Sequence, residues 1–189
     1  MRLQATFSRR LDMPKRYLLC DRDGTLIVEK NYLSDPEGVE VISGVGRALK
    51  AFNDAGWGIA VVTNQAGVGR GYYGVEQMNS VNLRVQALLA EDGVRIDGFF
   101  ACIHAPDADC SCRKPKPGLV FAAVQALDFD PRDSIVVGDK ACDVELGQGV
   151  GAKGVLVRTG YGMKEEQRGD LKPDLVIDSL ADLHPTLFY

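Results

Sequence analysis

The amino-acid sequence predicts an α/β protein: a doubly wound, mostly parallel, Rossmann-like sheet with helices on both faces. Three observations predict it. Six short apolar runs alternate with stretches of helical periodicity. Several of the runs are continuous rather than alternating, as strands covered on both faces should be. Polar and ionic residues recur just beyond the runs, where ligands bind in such sheets. With 189 residues and no repeat or compositional break, residues 16–189 are expected to form one domain, preceded by a loose tail over 1–15.

In chain order, the expected strands are Arg16–Cys20, Gly58–Thr63, Gly98–Ile103, Ser134–Gly138, Gly154–Val157 and Leu175–Ile177. Between them, Val45–Ala55 reads as a helix stopped by Gly56. Val75–Asp92 places Val75, Met78, Val81, Val85, Leu88 and Leu89 on one helical face. Pro117–Leu127 starts with proline in a first-turn position, and Ala141–Gly149 is a short helix. The polar segment Lys164–Lys172 is expected to be loose.

The charge of −4 gives no general pull toward nucleic acid or an anionic membrane, and no apolar run approaches the roughly 20 residues of a membrane helix. The N-terminal stretch is basic but lacks an apolar centre, so it is not a secretory signal. A reducing, cytoplasmic setting is the expectation, with the five cysteines as thiols or metal ligands. Cys20 and Cys142 read as buried small residues. A monomer acting on a small molecule is the expectation.

The stretch DRDGTL, Asp21–Leu26, organises the rest. Asp21 and Asp23 follow the first strand, Thr63, Asn64 and Gln65 end the second, and Asp139, Lys140 and Asp143 follow SIVVG. Two carboxylates about 4 Å apart repel by about 4 kcal/mol at an effective dielectric near 20. Acids converging at strand ends therefore call for a cation, and Mg²⁺ suits carboxylates, waters and phosphate. Lys114 supplies a fixed charge, and the whole suits a phosphate dianion.

With DRDGTL, the threonine of VVTN, the lysine of RKP and GDKACD in this order, the chain resembles the haloacid dehalogenase superfamily of phosphatases. The resemblance implies that Asp21 is the nucleophile forming an aspartyl-phosphate and Asp23 the acid/base. It implies Mg²⁺ on Asp21, the Asp23 carbonyl and Asp139, with Asp143 behind them. Thr63 and Lys114 would neutralise the phosphoryl oxygens.

Cys102, His104, Cys110 and Cys112 crowd into CIHAPDADCSC, and Cys₃His is a closed structural zinc set. Reduced thiols, or a disulfide through Cys110, are the alternatives on spacing alone. Followed directly by RKP, the loop resembles those of two related phosphatase groups, acting on D-glycero-D-manno-heptose 1,7-bisphosphate and on histidinol phosphate. That resemblance implies structural Zn²⁺ and a loop that aims Arg113 and Lys114.

The segments 28–45 and 74–113 are too short or too fully used to hold a cap domain, so a capless site with loop-borne specificity is expected. By resemblance to the heptose group, the substrate contacts are Glu29, Lys30, Asn31, Tyr32, Asn64, Gln65, Ala66, Arg113 and Lys140. The glycines and Arg70 of TNQAGVGRG suit close approach to a ligand. Ala66, neutral and small, favours the heptose over the amine-bearing histidinol. A polynucleotide 3′-phosphatase shares the TNQ…GRG loop but conflicts with the acidic charge. A phosphate-sensing protein without turnover conflicts with the complete set of catalytic positions.

Overall fold

The computed structural model describes residues 16–188. The tail expected over residues 1–15 lies outside them. Six strands form one parallel sheet: β1 (Tyr17–Cys20), β2 (Gly58–Asn64), β3 (Gly98–Cys102), β4 (Ile135–Gly138), β5 (Lys153–Val157) and β6 (Leu175–Ile177). Their spatial order is β3-β2-β1-β4-β5-β6. The chain winds one way from β1 to β3 and the other way from β4 to β6. β1 is thus central, and its carboxyl end is the switch point at which such sheets bind ligands.

The helices are α1 (Val45–Asp54), α2 (Ala66–Gly69), α3 (Val75–Glu91), α4 (Gly118–Leu127), α5 (Ala141–Gly149) and α6 (Gly162–Glu166). The continuous apolar strands serve two cores. Leu18 and Cys20 face Leu49 and Phe52 of α1 and Val81, Val85 and Leu89 of α3. Tyr17 and Leu19 face Leu119, Val120 and Ala123 of α4 and Leu146 of α5. A period-two strand with apolar residues at every position is needed where both faces are covered.

Two short helices escape the periodicity argument. α2 is four residues inside the glycine-rich loop, and α6 covers the start of the stretch expected to be loose. There Arg158 holds Glu166 at 2.7 Å and Asp178 at 2.7 Å. No cap domain is present among the described residues, and none of their helices is long and apolar enough to cross a membrane.

Candidate active site

At the carboxyl end of β1, the Asp21 N–H still donates to the Val137 carbonyl at 2.9 Å, so the acid is pinned to the sheet. Carboxylate oxygens of Asp21, Asp139 and Asp143 all lie within 4.8 Å of one another, and all three residues are buried. The buried Lys114 ammonium sits among them, 2.9 Å from Asp21 Oδ1, 2.6 Å from Asp143 Oδ1 and 2.7 Å from the Val62 carbonyl. Three acceptors surround its three N–H groups, so Lys114 acts on a ligand mainly through its charge.

Burial alone would raise the Asp21 carboxyl. Lys114, Lys140 and the Arg22 N–H outweigh that and hold it below the usual carboxylate range. Asp139 is pushed the other way, up to about 7, by burial and then by the charge of Asp21. Burial also lifts Asp143, to about 6, with Lys114 pulling back. Two neighbouring acids thus differ in proton affinity because one has the lysine and the other has the repulsion.

Asp139 Oδ2 accepts from the Tyr161 N–H at 2.8 Å, whereas its buried Oδ1 has no hydrogen-bond partner. Gly24 makes room for this acid. Its φ is +83°, and a Cβ there would stand 2.3 Å from Asp139 Oδ2. A tight, three-acid cluster with an oxygen that has no hydrogen bond, only the Lys140 ammonium 3.7 Å away, fits a hard divalent cation such as Mg²⁺.

Asp23 is held differently. Arg22 forks onto it, Nε to Oδ2 at 3.1 Å and Nη2 to Oδ1 at 3.2 Å. Gln65 Nε2 donates to Asp23 Oδ2 at 2.8 Å and to Thr63 Oγ1 at 2.9 Å. Gln65 Oε1 in turn accepts from Arg22 Nη2 and from the Tyr73 hydroxyl. The Gln65 amide is therefore fully engaged by protein groups, although it lines the cleft. Asn64 is similar: its side chain pairs with the Lys114 backbone in both directions, at 3.0 and 3.3 Å.

The cleft of about 360 Å³ is lined by Asp21, Asp23, Thr63 and Lys114, and among the expected substrate contacts by Glu29, Asn31, Tyr32, Asn64, Gln65, Ala66, Arg113 and Lys140. Lys30 is not brought to it, because its ammonium binds the Gly38 carbonyl at 2.8 Å and Glu40 at 3.3 Å. Arg70 is also absent from the lining. Cys142, expected in the core, instead lines the cleft, since its helix begins at the rim. Asn31 and Tyr32 both adopt positive φ, 52° and 66°, a strained pair held where the loop meets the cleft. Tyr161, on the loop after β5, was not anticipated. Its ring faces the Lys140 ammonium at 4.6 Å, and Lys140 reaches Glu29 at 3.5 Å.

The cysteine cluster is assembled. Cys102 Sγ lies 3.6 Å from His104 Nδ1 and 3.8 Å from Cys110 Sγ, and Cys112 Sγ lies 3.3 Å from the same nitrogen. A tetrahedron with the usual zinc bond lengths has S···S edges of about 3.8 Å and S···N edges of about 3.6 Å. A disulfide needs about 2.05 Å, and all five cysteines are free. The loop also supports its neighbour: a Cβ on Gly69 would stand 2.3 Å from the Ala105 nitrogen, so the glycine-rich loop lies directly on the cysteine loop.

A family model described as HAD-hydrolase-like matches residues 111–183. The D-glycero-beta-D-manno-heptose-1,7-bisphosphate 7-phosphatase of Haemophilus ducreyi is 40% identical over 181 residues, covering 92% of this chain and 98% of that protein. Its counterpart in Pasteurella multocida is 36% identical over 176 residues, covering 89% and 95%. Among solved structures, D,D-heptose 1,7-bisphosphate phosphatase from B. bronchiseptica, complexed with magnesium and phosphate, superposes with a TM-score of 0.82 at 30% identity, covering 88% of this chain and 94% of that one. Sheet order, acid cluster and whole-length similarity agree: the chain belongs to the heptose-1,7-bisphosphate 7-phosphatases of the haloacid dehalogenase-like hydrolases.

Proposed function

We propose that this protein hydrolyses the 7-phosphate of D-glycero-D-manno-heptose 1,7-bisphosphate. The observation that carries the bisphosphate is a second cationic side chain, without an acceptor of its own, in the same cleft as Lys114. Lys114 is held 2.9 Å from Asp21, while Arg113 also lines the cleft and has a buried Nη1 with no hydrogen-bond partner. A buried guanidinium nitrogen without an acceptor is costly unless a ligand supplies one.

Asp21 is the nucleophile, kept ionised by Lys114, and Asp23 gives its proton to the leaving oxygen. Asp23 then takes a proton from the water that hydrolyses the aspartyl-phosphate. The Thr63 hydroxyl, whose oxygen already accepts from Gln65, has its own proton left to donate to a phosphoryl oxygen. Asp21, the Asp23 carbonyl and Asp139 would hold Mg²⁺, with Asp143 behind them, tied to Lys114. The ion when bound supplies charge neutralisation for the phosphoryl group. The substrate is a soluble sugar phosphate, the chain works as a monomer, and a cytoplasmic setting is in keeping with its free thiols.

Phosphate release with Mg²⁺ is to be compared on the heptose bisphosphate, histidinol phosphate and a 3′-phosphorylated oligonucleotide. The heptose should give much the highest kcat/KM, and a preference for histidinol phosphate would overturn the substrate assignment.

Protons compete with Mg²⁺ at Asp139. Its folded pKa lies above the ordinary value near 3.9, so the metal-free fold binds an extra proton between about 4 and 7. Metal-free protein should therefore gain stability from this group as pH falls from 8 to 6. The stabilisation by Mg²⁺ should shrink over the same range. Melting curves with and without Mg²⁺ check both, and a metal effect independent of pH would contradict the placement of the ion at Asp139.

Cys102, His104, Cys110 and Cys112 bind one structural Zn²⁺, leaving no open position for chemistry. Metal analysis of protein purified without chelators should find it. Cys110→Ala should lower Tm on the order of 10 °C, because the loop has little apolar core of its own. Zinc-free protein with an unchanged Tm would rule the site out.

A further inference from the structure

Arg22 is the largest fully buried side chain in the described protein, at 1% exposure, and nothing in the reaction scheme uses it. It lies between the two catalytic acids in sequence and lines the cleft with them, yet its guanidinium is spent on protein partners and reaches α3. Nη1 donates to Asn82 Oδ1 at 2.8 Å, Nη2 to Gln65 Oε1 at 2.9 Å, and Nε with Nη2 fork onto Asp23. Asn82 is itself buried and sits on the stripe of Met78, Val85 and Leu89, where an apolar residue would be expected. The Gln65 amide orientation is set by the same group, since its Oε1 receives both Arg22 and Tyr73. Removing a buried charge from water is expensive, so an arginine here requires a compensating use.

We infer that Arg22 is a positioning residue for Asp23, braced against α3 by Asn82. The inference rests on Asp23 being the group that protonates the leaving oxygen. In that step an Asp21 oxygen bonds to phosphorus as the P–O ester bond breaks. The bond's electron pair goes to the ester oxygen, which takes the Asp23 proton and leaves as an alcohol. Asp23 becomes a carboxylate at that moment. The fork then faces a full negative charge and holds it aimed for the second step. An arginine suits this task because it does not lose its own proton at working pH and so cannot compete for the one being transferred.

A merely structural role and a positioning role separate by leaving group. An alkoxide needs the proton, whereas p-nitrophenolate leaves without one. The test is single-turnover release of the leaving group, with enzyme in excess and Mg²⁺ present, from the heptose bisphosphate and from p-nitrophenyl phosphate. Arg22→Met should slow the sugar ester about 100-fold and the nitrophenyl ester less than about 5-fold. Asn82→Leu, a near isostere outside the cleft, should give a smaller split in the same direction, about 10-fold against about 2-fold, and decides the matter if Arg22→Met does not fold. Arg22→Lys keeps the charge without the fork and should recover only part of the loss. Equal slowing of both esters, or no slowing of either, would overturn the inference. Wild-type protein active on neither ester would instead remove the Asp21–Asp23 chemistry, and with it any task for Arg22.

Discussion

Asp21→Asn is expected to lower kcat for phosphate release by about 10⁴-fold or more, equivalent to about 5 kcal/mol of transition-state stabilisation. The amide is nearly isosteric but is a very poor nucleophile, and no other carboxylate can take its place. Asp143 is tied to Lys114, Asp139 is held by the Tyr161 N–H, and Asp23 is forked by Arg22. The fold should survive. The substitution breaks the 2.9 Å contact with Lys114, but it also removes one of three crowded acids, and these effects oppose each other. Circular dichroism and a Tm within a few degrees of wild type would separate lost chemistry from lost structure. A well-folded variant with wild-type turnover would rule out Asp21 as the nucleophile.

Lys114→Met is expected to have the largest effect on stability. The ammonium is the one cation placed between Asp21 and Asp143, and all three groups are buried. Breaking a buried ion pair from one side costs about 3–5 kcal/mol, because the remaining charge loses its partner without regaining water. For a chain of this size that corresponds to a fall in Tm of about 6–20 °C in metal-free protein. The sign of the pH dependence is fixed. Without the lysine, the folded pKa values of both acids rise, so the penalty is greatest where they would be ionised and is relieved as pH falls. The Tm difference from wild type should narrow between pH 8 and pH 5, and saturating Mg²⁺ should narrow it at pH 8. Turnover should fall as well, since Asp21 would no longer be held ionised. A metal-free variant melting with the wild type at pH 8 would show that Lys114 carries no such load.

Much of this was legible in residue order. The strands of β1, β2 and β4 are apolar at nearly every position, which only a doubly covered parallel sheet requires. Acids and a threonine placed directly after those strands could be read as a site because strand ends in such sheets share one edge. The crowding of three cysteines and a histidine likewise suggested a metal set, but the spacing alone left thiols and a disulfide open, and the family resemblance pointed to zinc. Individual contacts were less legible. Asn64 and Gln65 suit a ligand by type, yet the fold spends both amides on Lys114, Asp23 and Thr63. Lys30 has the charge for a phosphate but turns toward Gly38 and Glu40. The signal for Asn82 was present, a polar residue on the apolar stripe of α3, but its partner lies 60 positions away.

Residue type and pattern sufficed for the layered fold and, through the order of four motifs and the resemblance they carry, for the acid–lysine–threonine set and the zinc-type ligand cluster. How the charges are shared follows from the packed geometry. Lys114 lowers Asp21 and leaves Asp139 raised, Arg22 takes Asp23, and Arg113 keeps a buried nitrogen without a partner in the wall of the cleft. These assignments depend on distances of a few ångströms between residues far apart in the chain, within a low-dielectric interior where such distances set the energy.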